Sequence, residues 1–395
     1  MLFQPLDHKR DCAGYFANDN IHSQEPFPHT GSTWDYSFLM KGNHYEIGRI
    51  YAHGKTLTDV CPPELRIEWD NIKKTLKSCL RAFRTSHLSL EENCFYDVVP
   101  EYFLFEYLST KNKITQHVLD TYVKPAHYNF MYNLIEMISD IRGRPLCVDP
   151  GPIKHLLSSV RGQNFHRTLR SVKSVCDYNP WGTVTGRLAT NPNSFPILTM
   201  NKEFRACIRP QNDWFVELDF NAAELRTLLA LAGADQPKND IHDWNVKNIF
   251  DNKMTREEAK EKTFAWLYSS KENKDLEDLY NKDLVRNKYW DGFKIETDYG
   301  RVIEDVDEHH ALNYIVQSTT IDMVHEQAYK VYELLKGRKS HISFLIHDAV
   351  YIDLAEEDRY EILNLLDTFK KTRYNVFKVN VSAGKHLGEM KKMKL

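Results

Sequence analysis

The sequence predicts an α+β fold, an antiparallel sheet flanked by helices, and three stretches carry that prediction. Trp214-Phe-Val-Glu-Leu-Asp-Phe220 sets Phe215, Val216, Leu218 and Phe220 in a pattern that suits a buried strand, followed by a helix from about Asn221 to Leu231. His341 to Leu354 alternates apolar residues at Ile342, Phe344, Ile346, Val350, Ile352 and Leu354, which reads as a hairpin with His347-Asp348 at its tip. Between these strands the period is helical, with the longest helix expected from about Asp307 to Leu335.

A chain of 395 residues exceeds one ordinary domain. Its 42% hydrophobic and 27% charged residues are ordinary for a folded, water-exposed protein. No run of about 18 apolar residues exists, so no membrane span or membrane partner is expected. The first ten residues lack the charged-then-apolar order of a signal peptide, and a cytoplasmic location follows. Cysteines 12, 61, 79, 94, 147, 176 and 207 are scattered, odd in number and never spaced C-x-x-C. They read as reduced, mostly buried thiols rather than disulfides or zinc ligands. The net charge of −3 argues weakly against a nucleic-acid binder, but an acidic cleft would mask a basic track in the whole-chain sum.

Taken in order, residues 1–60 are rich in aromatics and turn formers and predict short strands and hairpins. Pro62-Pro63 punctuates the chain. Helix follows from about Glu64 to Phe83, then around Glu101–Leu108, Ile114–Tyr122 and Tyr128–Ile141. Lys73, Lys74, Lys77, Arg81 and Arg84 in the first of these read as a solvated helix face. The signals sharpen from about Arg167. Val184 to Asn193 is loop-like and carries Arg187 beside a glycine, suited to a nucleic-acid groove or to the plain surface. A helix from about Thr255 to Tyr268 carries Arg256, Lys260, Phe264 and Tyr268 at successive i, i+4 steps. That face is basic at its start and aromatic at its end over about 18 Å. It suits a triphosphate and a stacked base, or equally an amphipathic helix whose aromatics fill a core. Residues 271–290 are charged, helical and expected at the surface. Asp298 to Ile303 reads as a turn between short strands. On the long helix Asn313 and Gln317 stand one turn apart, able to meet minor-groove acceptors or to satisfy each other. A helix near Asp358–Lys371, a strand near Val376–Val381 and a basic tail, Lys385 to Lys394, expected to be frayed or to lie near DNA, complete the chain.

Two acids concentrate the chemistry. Asp219 falls at the last strand position, where a rigid sheet holds a carboxylate at an open cleft; alone, it reads equally as a helix cap. Asp348 stands at the hairpin tip. Two such acids at two sheet edges can share a pair of metals roughly 3.5–4 Å apart, the geometry of in-line phosphoryl transfer.

Together these residues resemble the polymerase domain of family A DNA polymerases, the bacterial DNA polymerase I type. The family's D-Y-S-x-x-E-L-R is similar to Asp219-Phe-Asn-Ala-Ala-Glu-Leu-Arg226. Its R-x3-K-x3-[FY]-x3-Y matches Arg256, Lys260, Phe264 and Tyr268 without a gap. N-x3-Q matches Asn313 and Gln317, H-D-E is similar to His347-Asp348-Ala349, and T-G-R-L is Thr185-Gly-Arg-Leu188. The blocks occur in the family's order and cover roughly residues 167–395.

The resemblance implies a right-hand architecture with an antiparallel palm, helical fingers and thumb, and a small N-terminal α/β domain. Its divisions are a strand-rich region at 1–60, which reads as a degenerate exonuclease-like domain or a clamp, a mainly helical region including the thumb at 61–166, palm at 167–235 and 297–395, and fingers at 236–296. It implies a template-directed DNA polymerase adding dNTPs to a primer–template. Two Mg²⁺ ions would be held by Asp219, Asp348 and the Phe220 carbonyl. Arg256 and Lys260 would hold the triphosphate, Phe264 would stack on the nucleotide, Tyr268 would sit at the templating position and Glu224 would exclude a ribose 2′-hydroxyl. Arg187, Asn313, Gln317 and His347 would steady the DNA. Residues 1–150 lack an Asp-x-Glu pair, so 3′–5′ proofreading is not expected, and a compact exonuclease-free chain suits a phage or other mobile element. The sequence names no processivity partner.

Some positions depart from the family. Ala349 replaces the glutamate of H-D-E, Ala265 and Ser269 replace glycines, His309 stands for an arginine, and Phe195 lies near a usual glutamine. A single-subunit RNA polymerase or primase, and a non-catalytic DNA-binding relative, are the alternatives. Glu224 speaks against the first, and survival of both acids against the second.

Overall fold

A computed structural model of the chain describes residues 1–7, 14–24, 30–90, 92–268 and 273–393, in two compact units, Met1–Gly143 and Arg144–Leu395. Cys12, Ser269 and Lys394 lie outside the described residues.

In the first unit, Phe3–Pro5, Tyr15–Ala17 and Asn20–His22 form a three-stranded antiparallel sheet, as the turn-rich N-terminus predicts. Helices Arg66–Thr85, Glu101–Thr121 and Tyr128–Arg142 supply most of the rest. Glu101–Thr121 is one helix where two were expected, because no glycine or proline interrupts residues 109–113. Its buried face, Phe103, Leu104, Leu108, Ile114 and Val118, packs with Phe16, Trp34, Trp69 and Ile72 in one core. Lys74, Lys77, Arg81 and Arg84 are exposed, and Lys73 pairs with Asp70 at 2.8 Å. Cys61, Cys79, Cys147, Cys176 and Cys207 carry free thiols, as expected. Cys94 does not: it is disulfide-bonded, since spacing along a chain says nothing about which thiols a fold brings together.

The second unit is built on a five-stranded antiparallel sheet. Its order is His341–Ile346, Ala349–Leu354, Trp214–Phe220, Val379–Gly384, Lys391–Lys392. Trp214–Phe220 is the middle strand, and the pleat divides it. Val216, Leu218 and Phe220 face inward, where Phe220 stacks on Phe369 of helix Ile362–Lys370 with ring centroids 4.4 Å apart. Glu217 and Asp219 share the other, half-open face. The outer strand His341–Ile346 is buried along its whole length. The Tyr178 hydroxyl donates to the Leu345 carbonyl at 2.7 Å and accepts from the Leu345 amide at 2.9 Å, which satisfies part of that edge.

The long helix Glu308–Leu335, capped by Asp307, packs on helices Ala223–Leu231 and Ile362–Lys370. Helix Arg256–Leu267 starts at a capping box: Thr255 accepts from the Glu258 amide, and Glu258 reaches back to the Thr255 amide. Helices Lys274–Tyr280 and Lys282–Tyr289 are amphipathic rather than wholly superficial, because Leu276, Tyr280, Val285 and Tyr289 enter the core. The C-terminal segment is not frayed at Lys391–Lys392, which pair with Ser382 and Ala383 as an edge strand. Among the described residues no helix is long and apolar enough to cross a membrane.

Candidate active site

Asp219 does not cap a helix. It is the penultimate strand residue, and the following helix starts only at Ala223, after Ala222 adopts a left-handed conformation with φ +50°. The tight turn is held by Arg226, which is wholly buried. Its guanidinium donates to the Asn221 carbonyl at 2.8 Å, the Asn221 side-chain oxygen at 3.0 Å, and the Pro237 and Asn239 carbonyls at 2.8 and 2.7 Å. So the Arg that ends the 219–226 motif fixes the corner that brings the strand to the cleft.

Sheet register brings the two acids together. Asp219 lies opposite Ala349 on one neighbouring strand and Asn380 on the other. Asp348 immediately precedes Ala349, in a turn whose first residue, His347, has φ +53°. Burial and the Asp348 charge push the Asp219 carboxyl up to about 7, against a hydrogen bond from Asn380 at 3.3 Å. Burial also raises Asp348, while His347 and Arg187 pull it down. Two carboxylates that burial has deprived of water, with Asp219 raised further by the Asp348 charge, are a hard-oxygen donor set that a divalent cation would relieve. The two carboxylates present therefore fit Mg²⁺. Among the described residues no cluster of three or more His, Cys, Asp or Glu side chains is set to hold a metal. Ala349, where a third acid was absent from the sequence, is buried in the sheet.

A cleft of about 390 Å³ is lined by Arg187, Glu224, Phe264, Gln317, His347 and Asp348; Asp219 is not among its lining residues. Six residues singled out from separate parts of the sequence thus share one cavity. Glu224 crosses it, accepting from the Arg187 guanidinium at 2.6 Å and from the Tyr268 hydroxyl. Burial raises the Glu224 carboxyl and Arg187 partly offsets this. Phe264 is partly packed against the core and stacks with Tyr268, ring centroids 6.2 Å apart. Tyr268 itself is 41% exposed. The helix thus buries Ala259, Thr263, Trp266 and Leu267 and turns its basic and aromatic stripe outward.

Other expected residues are held differently. Lys260 is exposed on the same face. Arg256 is turned to Asp240, donating at 3.2 and 2.9 Å, and to Glu257 at 2.5 Å. Gln317 donates to Asn313 at 2.6 Å, so the two amides satisfy each other in this structure. Phe220 keeps its ring in the core. Phe195 is likewise buried.

Sequence reading missed Asp240, the most connected carboxylate in the unit. It caps helix Ile241–Asn248 through the His242 and Asp243 amides, accepts from the Asn221 side chain at 2.8 Å and pairs with Arg256. Burial opposes its charge, but these donors win and hold it well below the usual carboxylate range. Asn380 and Glu217 were missed too; their only signal is strand alternation, which many polar residues share.

No family model matches this chain, and no curated protein matches it. Its fold is nonetheless known. The chain is similar to the POL domain of Pol1 from M. smegmatis, solved in complex with DNA primer-template and dNTP, with a TM-score of 0.62 and 12% identity over 91% of this chain and 86% of that one. The likeness gives the chain the mixed helix-and-sheet fold of a polymerase domain.

Proposed function

We propose that the chain is a template-directed DNA polymerase of the family A type that extends a primer 3′-hydroxyl with dNTPs. The observation that carries the proposal is the register pairing that brings Asp219 next to the turn of Asp348, which lines a cleft together with Arg187, Glu224, Phe264, Gln317 and His347. The polymerase fold supports it.

In this reading the sheet with residues 167–235 and 297–395 is the palm, residues 236–296 are the fingers, and the thumb falls within 61–166. Asp219, Asp348 and the Phe220 carbonyl would hold two Mg²⁺ ions, which would supply positive charge for activating the primer hydroxyl and for steadying the departing pyrophosphate. Asp219 and Asp348 act as charged oxygen ligands, so both must be ionised to work. Arg256 exchanges the Asp240 carboxylate for phosphate oxygens, with Lys260 beside it. Phe264 stacks on the nucleotide and Tyr268 yields the templating position. Glu224, fixed from both sides, excludes a 2′-hydroxyl. Arg187, His347, Asn313 and Gln317 contact the primer–template. The lack of an Asp-x-Glu pair in residues 1–150 supports extension without proofreading by this chain, and the proposed setting is the cytoplasm of a bacterium or phage-infected host.

The test is extension of a labelled primer on a mixed-sequence template with Mg²⁺. The wild-type chain extends it with dNTPs and far less with NTPs. Asp219→Asn and Asp348→Asn abolish extension while primer–template binding persists. Normal extension by either variant refutes the assignment, and a preference for NTPs would favour an RNA polymerase or primase.

A further inference from the structure

The turn that carries Arg187 is pinned from below by a buried ion pair that no part of the mechanism above uses. Arg301 donates through Nε and one Nη to the two oxygens of Asp322, at 2.9 and 2.7 Å. Asp322 lies on the long helix and its side chain is 1% exposed, against 16% for Arg301. A two-bond fork of this kind fixes the plane of the guanidinium as well as its place.

That plane lies against the backbone of Gly186. A Cβ placed on Gly186 would stand 2.3 Å from an Arg301 Nη and 2.5 Å from Cζ. Gly186 has φ +83°, so both its conformation and its contact demand a missing side chain. The next residue is Arg187. Its carbonyl accepts from the Thr183 hydroxyl at 2.8 Å, closing the turn, and its guanidinium reaches Glu224 at 2.6 Å. The same helix that holds Asp322 lends Gln317 to the cleft wall.

From this stacking order, Asp322 to Arg301 to Gly186 to Arg187, we infer that Arg301 is a positioning residue that aims Arg187 across the cleft. The inference rests on the polymerase reading for its kinetic consequence, but not for its structural one. A lysine at 301 keeps the charge and loses the fork and the flat platform. The turn then wanders, and Arg187 loses its direction without losing its own chemistry.

Two measurements test this on the full chain. The first is amide hydrogen exchange over residues 183–190, which needs no activity. Arg301→Lys and Gly186→Ala both speed exchange there, while the sheet strand Trp214–Phe220 keeps its protection. Unchanged exchange at 183–190 in both variants overturns the inference. The second is a double-mutant comparison in primer extension. Arg301→Lys and Arg187→Ala each lower kcat by about tenfold or more, with the dNTP KM nearly unchanged, and the double variant is no slower than Arg187→Ala alone. Multiplicative losses in the double variant show that Arg301 acts independently of Arg187 and sink the inference. A wild-type chain that extends no primer sinks the polymerase reading instead, and leaves the exchange result to decide the pin.

Discussion

Removing the Asp219 charge should stabilise the metal-free protein, and by an amount that grows with pH. Burial and Asp348 raise the Asp219 carboxyl from 3.8 to about 7. A group raised in the folded state binds a proton there more tightly than in the unfolded chain. Its contribution is therefore fully present below pH 4 and is lost as the pH climbs through 7. At about 1.4 kcal/mol per unit, the window from pH 5 to 7 holds an upper figure of about 3 kcal/mol, which partial exposure of the site trims to roughly 2. For a unit of this size that is roughly 4–8 °C in Tm. The assay is thermal unfolding of wild type and Asp219→Asn in EDTA at pH 5, 6, 7 and 8. The gap between the two curves should be smaller at pH 5 and widen, with the variant higher, towards pH 8. Mg²⁺ at pH 8 should then raise the wild-type Tm and leave Asp219→Asn unmoved, because only the wild type offers both carboxylates. Parallel curves from pH 5 to 8, or an equal Mg²⁺ response in the variant, would refute the claim that burial and the neighbouring acid raise the Asp219 carboxyl.

Arg226→Met should destabilise the second unit by about 3–5 kcal/mol in urea unfolding, since it strips the partners of a buried guanidinium and leaves Asn221 unsupported; a loss under 1 kcal/mol would show that the corner holds itself. Asp240→Asn acts at low pH: the lowered Asp240 carboxyl stabilises the fold above its unfolded value near 4 and loses that contribution on acidification. The variant should therefore show a flatter acid-unfolding curve between pH 5 and 3 than wild type. Phe220→Ala empties a site stacked on Phe369 and should cost about 3–5 kcal/mol, read by the same urea titration.

Much of the site was legible because its residues sit on regular elements. Period two located the strand and hairpin, and the tip between them could only be His347-Asp348. The i, i+4 spacing gave one stripe from Arg256 to Tyr268 and left its setting open: Lys260 and Tyr268 are exposed, while Phe264 packs partly against the core. What the pattern could not supply was partnership. Nothing in the spacing says that Arg256 spends its charge on Asp240, or that Arg301 lies under Gly186, since both contacts join residues whose separation is set by tertiary packing. The C-terminal segment misled for a related reason: a lysine-rich run has the composition of a loose end, yet strand pairing on an open edge can order it. The N-terminal unit was readable as strands and helices, but its side chains carry no comparable cluster of aligned motifs.

Asp219 faces Ala349 across a single rung of the ladder, a span of roughly 4.5–5.5 Å between α-carbons, and Asp348 is the residue just before that rung, so strand pairing anchors both acids. The stripe of Arg256, Lys260, Phe264 and Tyr268 rides on a separate helix, outside that ladder. A shift of this helix would therefore leave the rung that sets Asp219 against Ala349 unchanged.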